Sequence, residues 1–138
     1  MRRSVRILAT LILFYHSASA SQMSLPACPD SPNCVSSLST EKAHYIKPLS
    51  YEDTPIQAWD RLRAAALSGK RVTLIKDTGE YLHIEVRSLI FRFTDDVEFL
   101  LQDSDKLIQV RSASRTGSSD FGVNRRRVEQ IRTRFIQE

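Results

Sequence analysis

An α+β fold, with an antiparallel sheet of about four strands and two helices packed on one face, follows from three features of the 138-residue sequence. A capped helical stripe begins at Thr54, strand-like segments fill 71–114, and a second apolar stripe at helical spacing runs from Val123 to Phe135. Helix, strands, helix in that order lets both helices cover the same side of an antiparallel sheet. No internal repeat or low-complexity stretch interrupts the pattern.

The chain opens on Met1-Arg2-Arg3, with Arg6 close behind, then a mostly apolar run from Ile7 to Tyr15, then Ala18-Ser19-Ala20. A basic start, a short apolar core and small residues at a cleavage site describe a secretory signal over 1–20, with a mature N-terminus at Ser21. An uncleaved anchor is the alternative, but a span needs about 20 apolar residues, and this run is shorter. The chain is therefore expected to be exported, periplasmic or associated with the cell envelope, with no transmembrane span after cleavage. The remaining 118 residues suffice for one domain with a core of its own. They divide into a cysteine loop and extended segment over 21–53 and an α+β body over 54–138. Loss of Arg2, Arg3 and Arg6 leaves 17 basic residues against 16 acidic, a net charge of +1 in place of +4. A nearly neutral exported body lacks the basic footprint of a nucleic-acid binder.

Cys28 and Cys34 are the only cysteines. In an oxidising compartment such a pair forms a structural disulfide. The five-residue gap is not a C-x-x-C redox motif, and no further cysteine or histidine pair completes a zinc site. A faint lipobox in Leu25-Pro26-Ala27-Cys28 leaves lipidation of Cys28 as the alternative. Residues 35–53 read as extended or irregular, with Tyr45-Ile46 starting a short strand. Thr54 then caps a helix, Pro55 suits its first position and Gln57 completes a capping box. Ile56, Trp59, Leu62, Ala66 and Leu67 form its apolar stripe, and Gly69 stops it. Arg71 to Lys76 and Glu80 to Ser88 form a hairpin around Asp77-Thr78-Gly79. In its second arm Leu82, Ile84 and Val86 face one way, and Tyr81, His83, Glu85 and Arg87 the other. Leu89 to Phe93 continues as an apolar segment, Thr94-Asp95-Asp96 reads as a break, and Val97, Phe99 and Leu101 begin another strand. Asp103-Ser104-Asp105 turns that strand into Leu107–Ser114.

Polar chemistry concentrates between Arg111 and Arg127. Arg111, Ser112, Ser114 and Arg115 end a strand; Gly117 and Gly122 allow turns; Asn124, Arg125, Arg126 and Arg127 start a helix. Three arginines there oppose the helix dipole, which favours anions at that end by about 0.3–1 kcal/mol per group. A negative partner is required: Asp120, the Asp95-Asp96 pair, or a bound anion, since arginine forks match carboxylate and phosphate. Asp95 and Asp96, adjacent on an extended chain, point to opposite faces and make a poor metal pair, so they are assigned to arginines.

The segments Cys28-Pro29-Asp30-Ser31-Pro32-Asn33-Cys34-Val35, Phe91-Arg92-Phe93-Thr94-Asp95-Asp96-Val97-Glu98-Phe99, Val110-Arg111-Ser112-Ala113-Ser114-Arg115 and Asp120-Phe121-Gly122-Val123-Asn124-Arg125-Arg126-Arg127 together resemble the bacterial domain-of-unknown-function family 1499. The resemblance covers nearly all of the chain after the leader. It implies one exported or membrane-associated domain and supplies no catalytic residues.

Catalysis has little support. Once the leader is removed, only His44 and His83 remain, neither in the arginine–serine stretch. Ser39-Thr40-Glu41-Lys42 matches S-x-x-K without its usual companions. No cofactor or metal is implied. Two readings lead. In the first, Arg111, Ser112, Ser114, Arg115, Asn124, Arg125, Arg126 and Arg127 hold a small anion or a lipid headgroup. In the second, the domain is a structural or protein-interaction module of the cell envelope: Arg115 pairs with Asp120, Asn124 caps the helix, and the disulfide of Cys28 and Cys34, with Asp95, Asp96 and Asp120, is internal scaffolding. A hydrolase-type enzyme is the third.

Overall fold

The computed structural model describes residues 23–89, 92–117 and 119–137. The expected leader, Phe91 and the last residue lie outside them. Six strands and two helices follow in order: β1 (Cys34–Ser36), β2 (Leu49–Ser50), α1 (Pro55–Leu67), β3 (Val72–Asp77), β4 (Tyr81–Arg87), β5 (Thr94–Gln102), β6 (Leu107–Ser114) and α2 (Val123–Gln137). The sheet runs β1-β6-β5-β4-β3, with antiparallel pairing throughout. β6 is long enough to take both β1 and β2 on its second edge, β1 against Arg111–Ala113 and β2 against Leu107 and Ile108. The α+β fold expected from sequence is thus present, with two short strands more than the four anticipated. Residues 35–53, expected to be mainly irregular, supply that edge in two pieces. Tyr45 contributes only a single bridge to Ser36.

Helix α1 begins as its sequence dictates. Thr54 accepts the Gln57 N–H and the Gln57 side chain accepts the Thr54 N–H, with Pro55 at the first position. Its buried face is Ala58, Trp59, Leu62, Ala65 and Ala66. Ile56, expected on that face, is exposed. It sits in the first turn of α1. Trp59 is buried and its indole N–H donates to Asp77 at 3.0 Å. Gly79, at φ +82, turns β3 into β4, and its N–H donates to Asp77. A bulge between Leu74 and Lys76 marks β3, the edge strand, and keeps its outer side irregular.

Thr94-Asp95-Asp96, read as a break, is the start of β5: Asp95 pairs with Val86 and Ser114, Asp96 with Glu85 and Ala113. The alternation of a strand carries the two carboxylates to opposite faces, as expected. On the helix side the cross-strand rows change along the sheet. Leu82–Phe99–Val110 is apolar, Ile84–Val97–Ser112 is mixed, and Val86–Asp95–Ser114 is mostly polar. The first two rows lie under both helices in one core that also holds Leu62, Val128, Ile131 and Phe135. Truncating a ring such as Phe99 in this core should cost about 3–5 kcal/mol. The third row calls for polar partners, and α2 brings them.

Candidate functional site

Helix α2 starts where Asp120 accepts the N–H groups of Gly122 (2.8 Å) and Asn124 (2.9 Å). Asp120 is therefore the cap, a role the scaffolding reading gave to Asn124. Burial pushes the Asp120 carboxyl up, but the Asn124 and Gly122 donors outweigh it and hold it below the usual carboxylate range. Gly122 has φ +76, a conformation that favours glycine, and a Cβ there would press on the Arg126 guanidinium at 3.1 Å.

Asn124 is fully buried. Its oxygen accepts from Ser112 Oγ (2.5 Å) and Arg127 Nη1 (2.8 Å), and its Nδ2 donates to Asp120, Ser114 Oγ and the Asn33 carbonyl. Arg127 continues to Asp95 at 2.5 Å, with both side chains nearly buried. The network supplies the polar sheet row with its partners, and every buried group named finds one. Asn33, last residue of the loop closed by the Cys28–Cys34 disulfide, ties the far end of the chain to it. The Asn33 amide donates to Gly117 O at 2.6 Å, and its carbonyl accepts the Ser114 N–H.

The opposite face of the sheet carries a ladder of charges. Asp96 takes Arg115 Nε at 2.8 Å and His83 at 2.7 Å, and Arg115 also reaches Glu85. The Arg115 guanidinium holds the Asp96 carboxyl below its usual range, with His83 adding to the effect. Glu98 joins Tyr81 (2.6 Å) to Arg111 (3.0 Å). Burial, followed by the Glu98 hydrogen bond, raises the Tyr81 pKa. Arg111 Nε is buried without a hydrogen-bond partner among the described residues. Arg115 is thus paired with Asp96 and Glu85, not with Asp120.

The eight residues expected to gather round an anion are consequently distributed over several places. Ser112, Ser114, Asn124 and Arg127 meet under α2, while Arg111 and Arg115 lie across the sheet. Arg125 clamps the Tyr45 and Ala43 carbonyls, and Arg126 holds the Phe121 carbonyl at 2.8 Å. Asp95, Asp96 and Asp120 each bind protein groups in this framework. Neither histidine hydrogen-bonds a serine hydroxyl among the described residues: His44 Nδ1 meets the Cys34 carbonyl and His83 meets Asp96. No group of three or more His, Cys, Asp or Glu able to hold a metal occurs among them either.

Arg126 and Arg127 also border a cleft of about 490 Å3 between α2, the end of α1 and the β3–β4 pair. Its cations are Lys70, Arg71, Arg87, Arg126, Arg127 and Arg134. Its walls are apolar, with Val72, Val86, Leu89, Val123 and Ile131. Among the described residues no aspartate or glutamate lines it, and an adjoining groove past Leu89 adds Arg92. Among the described residues only Arg127 of these cations has a carboxylate in ion-pair distance. Arg71 and Arg126 spend donors on the Arg87 and Phe121 carbonyls, which fixes their direction and leaves their charge uncompensated. Sequence reading missed Lys70, Arg71, Arg87, Arg92 and Arg134 as a group. The available signal was the spacing of Arg126, Gln130 and Arg134, one helical face of α2, together with Lys70-Arg71 directly after the first helix.

The family described as protein of unknown function (DUF1499) matches residues 24–135. No curated protein matches the chain, nor does any solved structure.

Proposed function

The chain belongs to the DUF1499 family, and we propose that it is an exported binding domain for an anionic ligand, held in the cleft between α2 and the β3–β4 pair. The observation that carries this reading is the lining of the cleft: six cations, apolar walls and no acid. Clustered like charges destabilise a fold unless something offsets them. Asp95 offsets one of the six, and an anionic head group would offset the others through paired N–H donors. A small pocket of apolar walls with a few convergent polar groups suits a small molecule. Of the eight residues expected at an anion site, Arg126 and Arg127 line this cleft, beside cations from other segments.

A second reading has its own support. The buried Asn124 network and the paired Arg111 and Arg115 serve the fold itself, so much of the arginine motif is scaffold for an envelope module. The two readings share Arg127, which lines the cleft and bonds to Asn124 and Asp95, and otherwise concern different residues.

Thermal unfolding of the oxidised protein with inorganic phosphate, glycerol 3-phosphate and acetate tests the first. A ligand bound only by the folded state stabilises it by about 2.7 kcal/mol at a hundredfold excess over Kd. The rise in Tm should vanish in Arg87→Ala and Arg126→Ala proteins that fold normally. An equal rise in wild type and variants would remove the cleft from consideration. Mass measurement of the exported chain checks the leader, with Ser21 as the expected first residue.

A further inference from the structure

We propose that the mouth of this cleft docks on the surface of an anionic phospholipid bilayer, with the cleft cations on headgroup phosphates and Leu89 and Phe121 inserted beside them. The docking rests on the cleft reading and adds a partner to it. Two observations at the rim carry it. Leu89, which lines the cleft at the β4–β5 turn, is 72% exposed, and Phe121, at the start of α2, is 87% exposed. The Phe121 carbonyl accepts from Arg126, itself a cleft residue, which sets the Phe121 backbone beside one of the cations. Phe121 has φ +51, a conformation that bulky residues seldom adopt and that costs stability. Single exposed apolar residues are ordinary on any surface. Leu89 lines a cleft bordered by Lys70, Arg71, Arg87, Arg126 and Arg134, and Phe121 lies two residues before Val123, which lines the same cleft and is also partly exposed.

That combination matches the chemistry of a bilayer surface. Anionic lipids attract basic residues within about a Debye length, and apolar side chains enter the boundary between headgroups and acyl chains. A soluble anion would use the cations and leave Leu89 and Phe121 in water. A phospholipid uses both. The expected mature chain is nearly neutral, 17 basic residues against 16 acidic, so attraction must come from this local patch and not from net charge. No helix among the described residues is long and apolar enough to cross a membrane, so contact of this kind would be peripheral.

The test is co-sedimentation of the oxidised protein with phosphatidylcholine vesicles and with vesicles containing phosphatidylglycerol, at low and physiological salt. Binding is expected only to the anionic vesicles and should weaken as salt rises. Arg87→Gln should lower it about fivefold, the effect of one surface cation. Phe121→Ser should lower it about tenfold or more, the loss expected for an aromatic ring that no longer leaves water. The rise in Tm with inorganic phosphate should persist in Phe121→Ser, because that ring is outside the cleft lining. Stabilisation by phosphate without vesicle binding would overturn docking and leave the cleft reading intact. Absence of both would end both. Vesicle binding undiminished in Phe121→Ser and Leu89→Ser would reduce the attraction to bulk charge and equally overturn docking.

Discussion

Arg126 and Arg127 are neighbours in sequence and live in opposite circumstances. Arg127 is 13% exposed, bonded to Asn124 and paired with a nearly buried Asp95. Arg126 is exposed, donates to one carbonyl, and has no acid within reach among the described residues. A helix turns by about 100° per residue, so one step along α2 separates a nearly buried, paired arginine at the cleft's inner edge from an exposed one without an acid partner among the described residues. The same residue type therefore serves two ends: where partners are fixed and water is excluded, arginine specifies the packing of α2 on the sheet. Where only apolar walls and other cations surround it, arginine is available to a ligand.

Substitutions can break or sharpen this contrast. The largest effect is expected for Arg127→Ala, which strands Asp95 in the interior at a cost of about 3–5 kcal/mol. Urea unfolding measures it, and a loss below about 1 kcal/mol would mean that the inner network does little for stability. Next comes the disulfide. Replacing Cys28 and Cys34 by serine frees a short loop and should cost about 2–3 kcal/mol, read as a lower Tm with α2 still formed by circular dichroism. A smaller effect separates the regions by pH. The Asp96 and Asp120 carboxyls are depressed in the folded state, Asp96 by Arg115 and Asp120 by the helix N–H groups that outweigh its burial. Their contribution is present above the unfolded value of 3.8 and is lost as pH falls through the lower folded values. Tm should fall on acidification below about pH 4, and Asp120→Asn should flatten that descent. Arg126→Ala should change stability least, within about 0.5 kcal/mol, while abolishing the response to anions.

Much of the framework was legible because it is local. The capping box at Thr54, the glycine turn at Gly79 and the bounds of β6 are read from a few adjacent residues. The opposite facing of Asp95 and Asp96 follows from strand alternation alone. Asp95-Asp96 was mistaken for a break because acidic residues disfavour strands, yet here each has an arginine delivered from another element. β1 and β2 escaped notice because two- and three-residue strands have no period to detect. They exist because β6 offers an open edge. The cleft was harder still. Lys70, Arg87 and Arg134 come from a loop, a strand and a helix, and only the packing of α2 against the sheet makes them one site.

The bond from Asn124 to the Asn33 carbonyl spans 91 positions of the chain. It sets an order of events. The polar row of β5 and β6 has no cover until α2 packs on it. Contacts of such sequence separation close late and slowly. A chain in which α2 has not docked therefore lacks the partners that bury Asp95 and Ser112.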